Sequence, residues 1–196
     1  MTLRETELLL KEGIVTNNTK IKEHLEVINH EKALTYIDEL VNKKEPINEW
    51  SIKNIHQLIL RSIDDKNVGK YRECNVKISG AKHIPPDYLH INALMEELLL
   101  KYNNWNEYHP IIKSALFHGE LVKIHPFIDG NGRTSRLIMN LILMKEGYLP
   151  VVIKNEAKIE YYEALDKAHT KKDYTDFIKI IAELEKEILE NYLSFI

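Results

Sequence analysis

Hydrophobic residues recur at three- and four-residue spacing along most of the chain, a pattern that predicts amphipathic helices rather than strands. Only 7 glycines and 6 prolines occur in 196 residues, which also favours a mostly helical fold. The predicted helices cover residues 2–11, 20–43, 50–62, 87–102, 116–124, 137–144, 158–168 and 174–192. The second of these is predicted as one helix or as two helices joined near Asn29. The expected fold class is therefore all-α.

Residues 68–86, called the flap segment below, interrupt the helical pattern. Val76 and Ile78 alternate with polar residues, and Gly80 and a proline pair follow them, which is typical of a short β-hairpin. Because a two-stranded hairpin is only marginally stable in water, it is expected to lean on the helices or to serve a function at an exposed edge.

Length and composition narrow the class of protein. A chain of 196 residues fits a single domain, here predicted as a helical part (1–67), the flap segment and a core (87–196). The net charge of −3 argues against a nucleic-acid partner. No apolar run has the length of a membrane span or a signal peptide, and the single cysteine, Cys74, cannot form an internal disulfide. The expected location is the cytoplasm.

The segment between two predicted helices, residues 124–141, carries the richest set of functional residue types. His125 precedes a proline, so the upstream helix is expected to end there. Gly130 and Gly132 allow positive φ or close approach of a ligand, and Asn131 tolerates left-handed geometry. If the next helix begins near here, its unpaired N–H groups form an anion-binding loop.

The charged residues of this segment suit phosphate chemistry. Arg133 and Arg136 are three residues apart, so they share a helix face and can each bind phosphate oxygens. Asp129 offers a hard oxygen for Mg²⁺, which proteins hold with few carboxylates plus substrate phosphates. A neutral His125 can accept a proton near pH 7. Together they predict a site where a hydroxyl attacks phosphorus.

The contiguous run His125-Pro-Phe-Ile-Asp129-Gly-Asn131-Gly-Arg133-Thr-Ser-Arg136 resembles the signature of Fic domains. These are mostly enzymes that transfer AMP from ATP to a protein hydroxyl. The resemblance implies a mainly helical fold with a small β-hairpin flap, ATP as substrate and Mg²⁺ as cofactor. The implied roles are general base for His125, Mg²⁺ ligand for Asp129, anion-binding loop for Gly130, Asn131 and Gly132, β-phosphate contact for Arg133, γ-phosphate contact for Arg136, loop anchor for Phe127 and loop support for Asn140.

The resemblance extends over residues 36–192. Residues 70–84 look like the Fic flap, which covers the nucleotide and pairs edge-on with an extended segment of the target protein, a case of strand addition. The implied docking edge is Val76, Lys77, Ile78, Ser79 and Gly80. By the same resemblance Tyr162 lines the nucleoside, and His169 stands where similar Fic proteins have an adenine-contacting asparagine.

Many Fic enzymes are inhibited by a helix carrying (Ser/Thr)-x-x-x-Glu-(Gly/Asn), whose glutamate pairs with the second motif arginine. Glu12 precedes a glycine, but Leu8 stands where Ser or Thr is required. Residues 2–6 resemble the sequence that follows such a helix, which predicts that the chain starts downstream of a removed or lost inhibitor. The alternative is a separate inhibitory partner. In either case the isolated chain is expected to transfer AMP and to remove it poorly.

Two other hypotheses remain. Doc-type relatives of the fold phosphorylate a target but have Lys where this chain has Gly132, and other nucleotidyl or phosphocholine transfers belong to the same fold. The second alternative is an inactive module that binds a partner strand through its flap. The target, the acceptor residue and the oligomeric state, including a homo-oligomer, stay open.

Overall fold

The computed structural model describes residues 3–12 and 21–195, and within them it is built from eight α-helices without a strand. The helices are α1 (Leu3–Glu12), α2 (Ile21–Asn42), α3 (Glu49–Leu60), α4 (Ile91–Asn104), α5 (Pro110–Ile124), α6 (Asn131–Lys145), α7 (Lys158–Lys171) and α8 (Thr175–Leu193). Short 3-10 turns, Tyr88–His90 and Asn155–Ala157, precede α4 and α7. In the part of the chain described, no helix is both long and apolar enough to cross a membrane. The all-helical prediction is confirmed.

Local sequence signals explain where several helices begin. Asn48 and Ser51 form a reciprocal capping box at the start of α3. His109 accepts a hydrogen bond at the start of α5 and is followed by proline, a residue pre-organised for a first helical turn. The second predicted helix is one continuous helix, and not two helices joined near Asn29. α2 continues through Asn29, whose Nδ2 donates to the Arg61 carbonyl at 2.7 Å and joins α2 to the end of α3.

Helices α5 and α6 lie at the centre and contribute to two hydrophobic clusters. One cluster joins them to α2, α3 and α4, and the other joins them to α7 and α8. Of the α6 side chains, Ile138 packs in the first cluster and Met139 and Leu143 in the second, all three with no exposed surface. The run 125–136 begins in the connection between α5 and α6 and is therefore attached to the two central helices.

The flap segment does not contain the predicted β-hairpin. None of residues 68–86 belongs to a strand, and the turn at residues 78–81 is closed by a 3.3 Å hydrogen bond from the Ala81 N–H to the Ile78 carbonyl. The segment instead bonds to neighbouring elements: Lys82 N–H donates to the Asp166 carboxylate on α7, and His83 Nε2 donates to the Lys123 carbonyl on α5. A two-stranded hairpin gains too little by itself to outweigh such contacts.

Candidate functional site

The loop that joins α5 to α6, residues 125–130 and called the motif loop below, has left-handed backbone at both ends. His125 caps α5 with φ 52° and ψ 57°, and Gly130 caps α6 with φ 78°. Such a conformation is uncommon for a residue other than glycine. Gly130 is also closely surrounded by other residues, since a Cβ added to it would lie 3.2 Å from Leu60 and 3.3 Å from the His56 ring. Gly132 lies within α6 and has no positive φ.

Asn131 closes the motif loop from inside. Its side chain is 3% exposed, its Oδ1 accepts from the Phe127 N–H at 2.9 Å, and its Nδ2 donates to the Phe127 carbonyl at 2.9 Å. Both polar atoms of the side chain thus bond within the loop, and the backbone N–H of Asn131 is available to an anion. The backbone N–H groups of Asn131, Gly132 and Arg133 all belong to the first turn of α6, where N–H groups have no acceptor within the helix.

His56 on α3 supports the motif loop and was not predicted from the sequence. Gly69 N–H donates to its Nδ1 at 2.9 Å, so Nε2 carries the proton and donates to the Asp129 carbonyl at 3.0 Å. The ring stacks on Phe127 with 3.7 Å between centroids. Burial lowers the pKa of His56 to about 4, which keeps it neutral. Its partner lies 73 residues away, and an isolated histidine on a helix gives no local signal of that contact.

The side chain of His125 presents one ring nitrogen to the site. Its Nδ1 lies 3.3 Å from the Val122 carbonyl, which can only accept, so Nδ1 carries the proton and Nε2 keeps a free lone pair. Burial is the main cause that lowers the pKa of His125, and Arg72 and His83 act in the same direction. A neutral imidazole with an accepting Nε2 is the form that a general base requires.

His125 lines a cavity of about 380 Å³ between the flap segment, α5, α6 and α7. This volume lies within the range of small-molecule sites. From the predicted docking edge, Ile78, Ser79 and Gly80 line the cavity, whereas Val76 and Lys77 do not. The other residues lining it are Ala81, Val122, Gly132, Arg136, Lys158, Tyr161, Tyr162, Leu165, Asp166 and His169. His125, the start of α6 and Arg136 therefore face the same space.

The two residues predicted to contact the nucleoside lie on α7 at this cavity. Tyr162 is 53% exposed, and the Lys158 ammonium lies 6.0 Å from the centre of its ring. His169 is 8% exposed, and its Nε2 donates to the Gly119 carbonyl at 2.9 Å. Burial lowers the pKa of His169 to about 4, so this ring is neutral as well. Its Nδ1 then remains an acceptor.

The two motif arginines are separated, although they share a helix. Arg136 lines the cavity with His125 and Tyr161, and the Tyr161 hydroxyl lies 2.9 Å from His118 Nε2. Arg133 instead lines a groove beside α2, where its guanidinium lies 3.2 Å from the Glu26 carboxylate. Both arginines were expected to bind one phosphate chain. In the structure only Arg136 of the two lines the cavity.

Asp129 lies at the rim of the motif loop. Its side chain is 58% exposed, with Oδ1 accepting from the Gly130 N–H at 2.6 Å and Oδ2 at 3.2 Å from Arg133. Among the described residues, no three histidine, cysteine or acidic side chains gather into a metal site. A single exposed carboxylate nevertheless suits Mg²⁺ when phosphates and water supply the other oxygens.

Two residues predicted to support the loop differ in what they contact. Phe127 is fully buried and packs on His56 and Tyr71. Asn140 does not bond to the motif loop: its side chain bonds to both the N–H and the carbonyl of Val151 at 3.0 Å. The prediction for Asn140 was therefore wrong. The amide bonds to the backbone of the extended segment after α6, and not to the loop before this helix.

The Fic/DOC family profile matches residues 46–143, which include the flap segment, α3 to α5 and most of α6. The chain belongs to the Fic/DOC family. It is 36% identical over 195 residues to the protein adenylyltransferase Fic of Drosophila grimshawi, an alignment that covers 98% of this chain and 40% of that protein. The chain thus spans about two fifths of the length of this curated relative.

Solved Fic structures share the fold. Fic-1 (residues 134–508) of C. elegans superposes with a TM-score of 0.89 at 30% identity, covering 99% of this chain and 58% of that one. A Fic domain containing signaling protein from Bacteroides thetaiotaomicron superposes with a TM-score of 0.84 at 29% identity, covering 94% of this chain and 76% of that one. The family resemblance of the motif is confirmed.

Proposed function

We propose that this Fic chain is a protein adenylyltransferase, which transfers AMP from ATP to a hydroxyl of a target protein and releases pyrophosphate. The observation that carries the proposal is the neutral His125, whose Nε2 lone pair is free beside the cavity that also contains Arg136 and the first turn of α6. A base for the hydroxyl and binding groups for a polyphosphate thus occur together. The relatives named protein adenylyltransferase support the same activity.

In the proposed reaction the target hydroxyl attacks the α-phosphorus of ATP. Its proton passes to Nε2 of His125, the new oxygen–phosphorus bond forms, and the bond from the α-phosphorus to the bridging oxygen breaks, so that pyrophosphate leaves. The first-turn N–H groups of α6 and the Arg136 guanidinium oppose the negative charge of the phosphates. Arg133 first releases Glu26 and then binds the β-phosphate. Tyr162 and His169 contact the nucleoside.

Asp129 is the residue that would hold Mg²⁺. Its exposed carboxylate, on the loop that leads into the N-terminus of α6, fits a cation that also binds phosphate oxygens. Bound there, the cation supplies neutralisation of phosphate charge. Asp129 has to exchange its contact with Arg133 for this, which also frees Arg133 for phosphate.

The flap segment is proposed to present the target. Residues 76–80 are largely exposed and lie in irregular backbone, so their N–H and carbonyl groups can pair with an extended peptide by strand addition. The side chain that carries the hydroxyl would then reach the cavity past Ile78, Ser79 and Gly80. An inhibitory helix or a separate inhibitory protein would act at Arg136, and a cytoplasmic location suits the exposed single thiol of Cys74.

The test uses ATP labelled at the α- or the γ-phosphate, the purified chain, Mg²⁺ and cell lysate. We expect only the α-label to reach protein, and His125→Ala to lower the transfer by roughly 10²- to 10⁴-fold. His90→Ala, which changes an exposed histidine outside the cavity, is the matched control. Transfer of the γ-label would make the chain a Doc-type kinase. Retention of ATP binding by calorimetry without any transfer would support the binding-module alternative.

A further inference from the structure

Arg72 is a buried cation at the junction of the flap segment and the motif loop. It is 3% exposed, and its guanidinium donates three hydrogen bonds: Nε to the His125 carbonyl at 2.9 Å, Nη1 to the Cys74 carbonyl at 2.8 Å and Nη2 to the Pro86 carbonyl at 2.6 Å. Its backbone N–H also donates to the Pro126 carbonyl at 2.9 Å. None of these acceptors is a carboxylate.

The cost of burying this cation indicates what it does. A guanidinium without water requires charge-assisted hydrogen bonds in compensation, and the three carbonyls meet the planar geometry of its donors. The carbonyl of His125 needs a donor from outside the helix, since the last carbonyls of α5 have no partner within it. A cation at the C-terminus of α5 also lies at the negative end of the helix dipole.

We propose that Arg72 is a positioning residue for His125: by binding the carbonyl of His125 and the Cys74 and Pro86 carbonyls of the flap segment, it keeps the left-handed cap of α5 that directs the imidazole into the cavity. The proposal rests on the proposed role of His125 as general base. It links the target-docking segment to the base through one side chain. A lysine keeps the charge but offers no planar fork for three carbonyls.

Electrostatics gives the proposal a second observable. The charged and titratable groups that act on the His125 imidazole are Arg72, His83 and Asp129. Arg72 and His83 lower the pKa of His125, and Asp129 raises it. Removing the guanidinium therefore raises this pKa and also releases the backbone. The pKa change reports the lost charge, whereas a residue that only stabilised the fold would leave the turnover of the folded fraction unchanged.

The experiment compares Arg72→Met and Arg72→Lys with the wild-type chain and with Lys70→Met, an exposed cation nearby in the sequence. The rate of AMP transfer is measured on the protein that the wild-type chain labels most strongly, and it gives kcat and KM for ATP. An NMR titration gives the pKa of His125, and the His125→Ala variant identifies the signal of this ring. We expect Arg72→Met to lower kcat by roughly 10²-fold with KM for ATP changed little, because the base is misplaced rather than the nucleotide. Its His125 pKa should rise.

We expect Arg72→Lys to keep the His125 pKa close to wild type but to recover only a small part of kcat. An unchanged kcat and an unchanged His125 signal in either variant would overturn the proposal, as would a fall in kcat no larger than the loss of folded protein by circular dichroism. If Arg72→Met does not fold, Arg72→Lys decides by the same criteria. Failure of the proposed function would appear differently, as absence of transfer by wild type, and the imidazole titration then still tests Arg72.

Discussion

The motif loop and the flap segment border the same cavity and are both irregular, yet they are held in different ways. The motif loop is closed by the buried Asn131 and by His56, and it is anchored between the two central helices. The flap segment is held at its ends by Arg72 and His83, while most of residues 73–80 are exposed. The proposed chemistry requires fixed groups, whereas the proposed docking of a target requires an open edge, and the two regions differ in the direction that these proposals require.

Removal of one buried amide should have the largest effect on stability. Asn131→Ala leaves the N–H and the carbonyl of Phe127 without their partner, so we expect the free energy of unfolding to fall by about 2–4 kcal/mol in urea denaturation. Asn75→Ala is the matched control, since that exposed amide bonds to Asp87 and to the Tyr88 N–H. It should cost less than about 1 kcal/mol. Equal losses would remove the distinction between the two regions.

Acid should destabilise the fold through the histidine that holds the motif loop. The pKa of His56 is about 4 in the folded chain and near 6.5 in the unfolded chain, so the unfolded chain binds the proton first. This histidine therefore makes stability rise with pH between about 4 and 6.5, by up to about 3 kcal/mol. His118 and His169 act in the same direction.

The measurement is the free energy of unfolding at pH 7 and pH 5, for wild type and for His56→Gln. We expect wild type to lose stability on acidification and the variant, though less stable at pH 7, to show a smaller loss. A pH dependence that is identical in both chains would show that His56 does not titrate as its burial implies.

A single backbone donor tests the docking edge. Lys77→Pro removes one N–H from an exposed position that does not line the cavity, so target labelling should fall by roughly three- to tenfold, as expected for one hydrogen bond. Affinity for ATP, measured by calorimetry, should not change. Lys77→Ala keeps the N–H and serves as control. Equal labelling by both variants would place target docking elsewhere.

The smallest effect is expected at the ion pair beside the motif loop. Glu26 and Arg133 are 38% and 27% exposed, so their contact contributes about 1 kcal/mol or less. Because Glu26→Gln releases Arg133 for phosphate, ATP affinity should rise by up to about fivefold in calorimetry. Glu31→Gln on the same helix is the control. Weaker binding by Glu26→Gln would indicate that Glu26 orients Arg133 for the nucleotide.

Local patterns were sufficient for the helices and for the composition of the motif, because helix periodicity and capping act over a few residues. The end of α5 at His125 and the positive φ of Gly130 follow from a proline and a glycine. The predicted hairpin failed for the opposite reason. Alternation at Val76 and Ile78 describes an extended segment but does not specify a partner strand, and the neighbouring helices and motif loop supplied the hydrogen bonds instead.

The amino-acid sequence by itself determined the helical elements and the motif that places this chain in the Fic/DOC family. Only the tertiary structure decided that Arg133 pairs with Glu26 across 107 residues, that His56 holds the Asp129 carbonyl across 73, and that Arg72 holds the His125 carbonyl across 53. Each of these contacts depends on how helices and loops pack. A spacing pattern reports which face of a helix is apolar, whereas partners distant in the chain are set by burial and by the need to satisfy every buried polar group.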